Sequence, residues 1–469
     1  MPGFLPNLLR TLQNLRGGDM DFLCHRLLSE RGEASQTAVA QEIINLYRAM
    51  STEQRLAFFD MLSREFSPDE AAVRRAAAEY EKSPSTETLA ALSSAVEAPR
   101  QELIRRINTA PGGTETLVAM RGDLLDSSRN GDSKSLEPLD ADLRHLFRSW
   151  FNRGFLRLER ISWQTSALIL EKLIRYESVH EINGWADLHR RLEADRRCFA
   201  FFHPALANEP IIFVEVALSN GILGELDPLL DVKAPVGAPD RADTAIFYSI
   251  NNCLKGLRNV PFGNFLIKQV VVELAAEFPN IKTYSTLSPL PRFARAVNEA
   301  RSGKPNPNGF TRERLARLLD DFGPSMAAAT RKRDPLDAFF NLLDRAREKP
   351  PAMVGRHVLA APLQRLAFAY LTKVRIPAAA GSPDGHAPRD GKLYDPVATF
   401  HLSNGARLER INPFGNLRPY GLEASFGVTV NYRYVPDELE ENHERFVRGQ
   451  IQVSRALAAE QKAVDAAWQ

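Results

Sequence analysis

The sequence is poor in cysteine, and its opposite charges nearly cancel. Cys24, Cys198 and Cys253 are the three cysteines among 469 residues, with no CxxC spacing and no neighbouring histidine cluster. This pattern argues against a disulfide framework and against a zinc site, so we predict no metal. The 60 basic and 58 acidic residues leave a net charge of +2, which excludes a strongly charged protein and gives no reason to expect a nucleic-acid partner.

The chain also lacks a long hydrophobic run. No stretch approaches the roughly 20 apolar residues needed to cross a bilayer, so we expect no membrane partner. Residues 1–16 contain two arginines and no acidic residue, a pattern loosely like a transit peptide, but the segment is short and no serine-rich stretch follows it. We therefore predict a cytoplasmic protein with reduced thiols.

The length of the chain predicts two domains, because a single hydrophobic core rarely grows to this size. Residues 1–177 are predicted to form an all-helical bundle domain, since helix caps recur there and no convincing strand pattern occurs. Ser51-Thr52-Glu53-Gln54 matches a capping box. In Ser67-Pro68-Asp69-Glu70, the Ser67 hydroxyl is predicted to cap a second helix.

Residues 178–469 are predicted to form a mixed α/β domain. Three continuous apolar runs are typical of strands buried on both faces, namely Cys198 to Phe202, Ile211 to Leu218 and Thr244 to Ile250. An amphipathic helix from about Gly263 to Phe278 follows and completes a β-α-β unit that ends at Ser285. A helical insertion is predicted near residues 311–370.

The C-terminal part is predicted to return to strands. The Asn-Gly pair at 404–405 is typical of a two-residue turn, so Pro396 to Asn412 is predicted to be a hairpin with His401 on its first strand. Ser425 to Tyr434 alternates apolar and polar residues as a strand does. One helix from Asp437 to Trp468 is predicted to close the chain.

Three groups of residues are candidates for chemistry. The segment from Lys255 to Gly263 precedes a helix N-terminus, which attracts phosphate through unsatisfied N–H groups and the helix dipole. A tight turn with solvated lysines is an equally good interpretation. Ser285 and Ser288 lie at a strand end and are candidates for catalysis, although serines at such positions usually bond backbone groups. His401 is the third candidate, and a purely structural role is the alternative interpretation. Taken together, the three groups predict an enzyme that acts on a phosphate-bearing acyl carrier.

Several longer motifs, in the same order along the chain, resemble the malonyl-CoA decarboxylase family. They are Tyr248-Ser249-Ile250, Lys255-Gly256-Leu257, Gly263-Asn264-Phe265-Leu266-Ile267-Lys268, the Ser-x-Leu-Ser-Pro-x-Pro run from Ser285, Phe400-His401-Leu402-x-Asn404-Gly405-Ala406, Arg410-Ile411-Asn412 and Asn431-Tyr432-Arg433-Tyr434. The resemblance covers most of Trp185 to Tyr434 and, more loosely, the helical region. It implies a GNAT-like catalytic domain and a helical domain that forms a homo-oligomer, either a dimer or a tetramer.

The resemblance also implies a reaction and its residues. Malonyl-CoA is converted to acetyl-CoA and CO₂ without a metal or organic cofactor. Ser285 and His401 correspond to the catalytic serine and histidine of the family, and Ser285 is chosen because it is the first serine of its motif. The CoA-binding loop corresponds to Lys255, Gly256, Leu257, Arg258, Asn259, Val260 and Pro261, where Pro261 replaces a glycine of the wider superfamily. Further candidates for substrate contact are Ser288, Asn431 and Tyr434.

The thioester of such a substrate can take the electrons released by decarboxylation, so the protein needs to supply only position, oxyanion stabilisation and a proton. Our hypothesis is that Ser285 holds the malonyl carboxylate while His401 donates toward the enolate and supplies the proton. Two other functions stay open. An acyltransferase would pass the acyl group to an amine through an open acceptor channel. A non-catalytic CoA-thioester sensor would bind a partner through its helical domain.

Overall fold

The computed structural model describes residues 20–127, 133–260, 266–303, 309–348, 356–376 and 392–468. Its first part is a bundle of helices whose apolar faces pack together. The helices are α1 (20–29), α2 (Glu33–Ala49), α3 (Thr52–Glu65), α4 (Glu70–Lys82), α5 (Thr86–Val96), α6 (Pro99–Thr109), α7 (Gly113–Ser127) and α8 (Ser133–Trp150). Side chains at the centre of the bundle, such as Ile44, Phe59, Leu103 and Phe147, are fully buried.

Local hydrogen bonds determine where two of these helices begin. The predicted capping box of α3 is confirmed, because Ser51 Oγ accepts from the Gln54 N–H and the Gln54 side chain accepts from the Ser51 N–H. The second predicted cap is wrong. The Asp69 carboxylate caps α4 by accepting from the Ala71 N–H at 2.9 Å, while the Ser67 hydroxyl donates to the preceding helix. A carboxylate at this position also complements the helix dipole.

A mixed sheet forms the centre of the second part. The described strands are β1 (Arg157–Ile161), β2 (Arg196–Phe202), β3 (Pro210–Ser219), β4 (Thr244–Asn252), β5 (Thr283–Thr286), β6 (Ser288–Pro289), β7 (Arg375–Ile376), β8 (Lys392–Leu393), β9 (Arg407–Asn412) and β10 (Thr429–Tyr434). The main sheet runs in the order β1-β2-β3-β4-β5-β10-β6, and β9 pairs with the other edge of β10. Strands β7 and β8 form a separate ribbon.

Further helices surround this sheet. They are α9 (Ala167–Tyr176), α10 (Trp185–Arg191), α11 (Asp227–Leu230), α12 (Leu266–Glu277), α13 (Phe293–Arg301), α14 (Arg312–Leu319), α15 (Gly323–Thr330), α16 (Pro335–Glu348), α17 (Arg356–Lys373), α18 (Pro396–Ser403), α19 (Pro419–Ser425), α20 (Leu439–Val447) and α21 (Ala458–Trp468). Helices α14 to α17 occupy the segment that was predicted to be a helical insertion. None of the described helices combines the length and the apolar character needed to cross a membrane.

The predicted β-α-β unit is confirmed. Strands β4 and β5 are parallel and are joined through α12, whereas the other pairings of the main sheet are antiparallel. Every residue of β2 is buried, as expected for a strand covered on both faces. The edge strand β1 was not predicted, because its exposed Arg157 and Glu159 give it no apolar alternation. The fold class, a helical region followed by a mixed α/β domain, is confirmed, while the division at residue 177 and the GNAT-like character stay predictions.

The hairpin predicted over residues 396–412 is wrong. The Asp395 carboxylate accepts from the Ala398 N–H at 2.8 Å and Pro396 occupies the first turn, so this segment begins α18. Gly405, with φ of 81°, ends the helix, and the Ala406 N–H donates back to the His401 carbonyl. An Asn-Gly pair suits both a helix C-terminus and a hairpin turn, because both need a positive φ. His401 therefore lies on a helix.

The predicted strand from Ser425 to Tyr434 and the predicted helix from Asp437 to Trp468 both have the wrong bounds. Strand β10 begins at Thr429 rather than at Ser425, because α19 precedes it and Phe426 and Gly427 turn the chain with positive φ values. The single long helix is in fact α20 and α21, which are separated at Gly449, where φ is 84°. The intervening chain returns to the sheet at Val453, which bridges to Leu408.

Candidate active site

A cavity of about 450 Å³ lies between the main sheet and helices α12 and α18. Its described lining is Val179, Ile212, Val214, Phe247, Tyr248, Ser249, Ile250, Asn252, Val260, Leu266, Ile267, Ser288, Pro289, Val397, Phe400, His401, Ser403 and Asn404. No Asp, Glu, Lys or Arg occurs among these residues. The cavity is therefore an apolar compartment with a few neutral hydrogen-bonding groups, of which Ser288 and His401 contact each other directly.

His401 is held in the wall of this cavity by contacts on three sides. Its Nε2 lies 3.0 Å from Ser288 Oγ, and its Nδ1 lies 2.7 Å from the Tyr434 hydroxyl. The Tyr432 ring stacks on the imidazole with centroids 4.7 Å apart. Because burial penalises the charged form, the pKa of His401 is lowered from 6.5 to about 3. The imidazole is thus neutral and fixed in direction.

The structure does not bring Ser285 to His401. Ser285 is fully buried, and its Oγ donates to the Tyr432 carbonyl at 3.3 Å. Side chains alternate between the two faces of a strand, so Ser285 and Ser288 point to opposite sides. The hydroxyl that lies beside His401 belongs to the second serine of the Ser-x-Leu-Ser-Pro motif, and the geometry favours Ser288 over Ser285 as the partner of His401.

Two family models match this chain. One is described as the malonyl-CoA decarboxylase N-terminal domain and covers residues 66–151, and the other is described as the malonyl-CoA decarboxylase C-terminal domain and covers residues 154–469. The chain belongs to the malonyl-CoA decarboxylase family. The resemblance predicted from its motifs is confirmed, and with it membership of a family of carboxy-lyases.

Individual relatives agree with this membership. The mitochondrial malonyl-CoA decarboxylase of Anser anser anser is 32% identical over 421 residues, which are 86% of this chain and 78% of the relative. The crystal structure of malonyl-CoA decarboxylase from Rhodopseudomonas palustris superposes with a TM-score of 0.79 at 41% identity, covering 94% of this chain and 99% of that one. The corresponding protein from Agrobacterium vitis gives a TM-score of 0.75 at 42% identity over the same shares.

In this malonyl-CoA decarboxylase family member, the predicted CoA-binding loop begins with a short turn, Lys255–Leu257. The N–H groups of Leu257, Arg258 and Val260 donate to the carbonyls of residues 254, 255 and 257, so these three donors are already used. Arg258 and Asn259 are exposed, whereas Val260 lines the cavity. Pro261 and Gly263 lie outside the described residues.

The first residues of this loop are anchored to the helical region. A Cβ atom on Gly256 would lie 1.8 Å from the Val118 carbonyl oxygen, so the glycine allows the loop to approach α7. The buried Arg121 guanidinium donates to the carbonyls of Gly256 and Arg258 at 2.6 and 2.8 Å. Lys255 pairs with Asp126 of the same helix. Gly256 therefore packs against the helical region, and Lys255 forms an ion pair with it.

The last two predicted site residues, Tyr434 and Asn431, differ in whether they contact the site. Tyr434 contacts His401, and burial raises the pKa of its phenol, so the hydroxyl keeps its proton. Asn431 does not line the cavity. Its amide donates to the carbonyls of Thr286 and Leu223, and its Oδ1 accepts from Arg410 and Asn412.

Sequence reasoning missed two residues that contact the pair. Thr286 accepts a hydrogen bond from Ser288 at 2.9 Å, and Tyr432 stacks on His401. The period of two along the strand was the available signal for Thr286, since residues 286 and 288 must share a face. No comparable signal pointed to the Tyr432 contact, because α18 was assigned as a strand.

Proposed function

We propose that this chain decarboxylates malonyl-CoA to acetyl-CoA and CO₂ at the His401–Ser288 end of the cavity. The observation that carries the proposal is a neutral imidazole, hydrogen-bonded to a serine, in a compartment whose described lining contains no charged side chain. The substrate is taken from the names of the relatives, which are malonyl-CoA decarboxylases.

The reaction breaks the bond between the malonyl carboxylate carbon and the α carbon. Its two electrons move into the thioester, which becomes an enolate as CO₂ leaves. A proton then bonds to the α carbon and completes acetyl-CoA. Because the thioester itself takes up the electrons, the proposal requires no metal and no organic cofactor.

Each residue of the pair has a role in this scheme. Ser288 takes the role that the sequence assigned to Ser285 and hydrogen-bonds the malonyl carboxylate. His401 donates its N–H toward the enolate oxygen and passes that proton to the α carbon, and solvent returns one proton to the ring, which is the single proton that the overall reaction takes up. A cationic group beside the carboxylate would stabilise the substrate before CO₂ leaves and would slow the reaction, so neutral donors suit the task. One well-aimed donor to the developing oxyanion contributes roughly 3 to 4 kcal/mol.

The CoA moiety would leave this cavity past Val260. We propose that the exposed Arg258 and Asn259 contact its phosphates, because they follow the anchored part of the loop and flank a cavity-lining residue. A guanidinium is well suited to phosphate, since it offers paired donors and a permanent charge. Arg258→Ala should then raise the Kd for CoA and leave kcat nearly unchanged.

The test is the formation of acetyl-CoA and CO₂ from malonyl-CoA by the purified, chelator-treated protein, with no amine acceptor present. His401→Ala and Ser288→Ala should lower turnover by at least about 10²-fold while CoA binding persists, and Ser285→Ala is the matched control on the other face of the strand. Folded wild-type protein that binds CoA without turnover would contradict the proposal. Activity that depends on Ser285 and not on Ser288 would return the role to Ser285.

We also propose that the chain forms a dimer or tetramer through its helical domain and is cytoplasmic. Helices α4 and α5 contain no buried residue, and Leu89 and Val96 of α5 are 51% and 50% exposed. Leu89 and Val96 are seven residues apart, so they lie on the same face of α5, and exposed apolar residues grouped on one face favour a contact between subunits. Light scattering should give a multiple of the chain mass for the wild type and a smaller mass for Leu89→Glu.

A further inference from the structure

We propose that Thr286 is a positioning residue that determines which ring nitrogen of His401 carries the proton. The hydroxyl of Thr286 does not line the cavity and has no direct role in the chemistry described above. Its effect on the rate rests on the proposed function, whereas its effect on the imidazole is a property of the resting protein. Three observations lead to this proposal, and they concern the strand gap, the direction of one hydroxyl and the packing of the ring.

The first observation is a gap in the strand ladder. Strands β5 and β6 pair with β10 in one continuous antiparallel register, with Ser285 opposite Arg433 and Ser288 opposite Val430. Between these pairs the backbone hydrogen bonds to β10 are interrupted, and hydrogen bonds from side chains take their place. Thr286 Oγ1 accepts from the Tyr432 N–H at 3.0 Å, and the Asn431 amide donates to the Thr286 carbonyl. Thr286 is fully buried and fixed from both directions.

The second observation is the direction of the Ser288 hydroxyl. Ser288 donates its single hydrogen to Thr286 Oγ1 at 2.9 Å. In the resting protein that hydrogen is committed, so the Ser288 oxygen accepts from His401 Nε2, which lies 3.0 Å away; when the malonyl carboxylate binds, the hydrogen turns to it and the oxygen still accepts from the ring. A neutral imidazole carries one proton, so Nε2 has it and Nδ1 accepts from the Tyr434 hydroxyl at 2.7 Å. The donor of the ring therefore points toward Ser288 and the cavity.

The third observation is that neighbouring rings prevent the His401 imidazole from rotating, so its two nitrogens cannot exchange partners. Tyr432 stacks on one face of the imidazole, and Phe400 contacts it edge-on with centroids 5.1 Å apart. If the Thr286 hydroxyl is removed, the Ser288 hydrogen turns to its remaining buried partner, His401 Nε2. The ring proton then moves to Nδ1 and donates to Tyr434. The cavity would lose the N–H that the proposed function directs to the enolate oxygen.

The direct test is ¹⁵N NMR of the resting protein with labelled histidine rings. The chain has nine histidines, and the His401 signals are assigned by their loss in His401→Gln. The wild type and Thr286→Ser should show His401 with its proton on Nε2. Thr286→Val, which keeps the shape and removes the hydroxyl, should show it on Nδ1. Ser285→Ala disturbs the same strand pair from the other face and should leave the tautomer unchanged.

Kinetics provide the second readout. Thr286→Val should lower kcat by about 10²-fold, the loss expected for one oxyanion donor, with little change in KM. Thr286→Ser should restore most of the rate, which a purely structural role of the methyl group would not allow.

The proposal is overturned if wild-type His401 carries its proton on Nδ1, a result that does not depend on the folding of any Thr286 variant. It is also overturned if Thr286→Val folds and keeps the Nε2 tautomer. Because the NMR measurement needs no substrate, the expected tautomers in a protein that does not decarboxylate malonyl-CoA would reject the proposed function and leave the role of Thr286 intact.

Discussion

The two faces of one strand segment, residues 283–289, differ in what they contact. On one face, Ser285 lies beside Ile246 of β4, and Leu287 packs with Ile246 and Tyr248 in an apolar cluster. On the other face, Thr286 lies beside the cavity-lining Phe247, and Ser288 contacts His401. One strand segment therefore supplies catalytic side chains on one face and core side chains on the other. A shift of one residue in its register would exchange the two faces.

The largest expected difference between the faces is catalytic. Ser288→Ala should lower kcat by about 10² to 10³-fold, because it removes a positioned hydroxyl from the reacting end of the cavity. Ser285→Ala should change kcat by less than about threefold, since its hydroxyl bonds only backbone carbonyls. Steady-state kinetics on both variants would check this prediction. Equal losses would show that the two faces are not functionally distinct.

The supporting face should dominate stability. Leu287→Ala removes a buried side chain from the apolar cluster, and we expect the free energy of unfolding to fall by about 2 to 5 kcal/mol. Chemical denaturation would measure this loss. The fraction that remains folded should keep its wild-type kcat, because Leu287 faces away from the cavity. A lowered kcat in that fraction would mean that the two faces are coupled.

A smaller loss of kcat is expected at Tyr434, which contacts His401 but not Ser288. Tyr434→Phe removes the hydroxyl that bonds His401 Nδ1 but keeps the ring that packs beside it. The imidazole then keeps Ser288 as its one partner, and we expect kcat to fall by about 10 to 100-fold, as for other residues that orient a catalytic group. The Kd for CoA should not change. Kinetics together with calorimetric binding would separate these two parameters.

The smallest effect is expected on the pH dependence of activity near neutrality. Because the pKa of His401 is lowered to about 3, the imidazole stays neutral from pH 6 to 8 and should produce no ionisation step in kcat over this interval. A step near pH 6.5 that coincides with protonation of the His401 ring, followed by ¹⁵N NMR, would contradict this.

The same lowered pKa makes stability depend on acid. Unfolded His401 binds a proton below pH 6.5 and the folded residue does not, so its contribution to stability is present above pH 6.5 and lost as the pH falls toward 3. Buried His180 makes stability depend on pH in the same direction, because its pKa is also lowered to about 3. Thermal unfolding of wild type and His401→Gln across pH 4 to 7 should show a shallower loss in the variant.

Much of the fold followed from local patterns. The capping box at Ser51, the buried strands β2 to β4 and the β-α-β unit were predicted, because each depends on residues close together in sequence. The helix at His401 was not, since Asp395-Pro396 and Asn404-Gly405 carry signals that fit either a hairpin or a capped helix. Packing resolves the ambiguity, because a Cβ atom at Gly405 would lie 2.1 Å from the Leu439 carbonyl.

The sequence by itself determined the family, the order of helical and mixed regions, and the small set of residues from which a site could be built. Tertiary structure decided which of them meet. Ser288 and His401 are 113 residues apart, and their contact depends on which face of a strand each serine occupies and on where a distant helix ends. Local propensity contains no information on either point, because the first is set by the register of β5 and β6 on β10 and the second by the packing of α18 against the sheet.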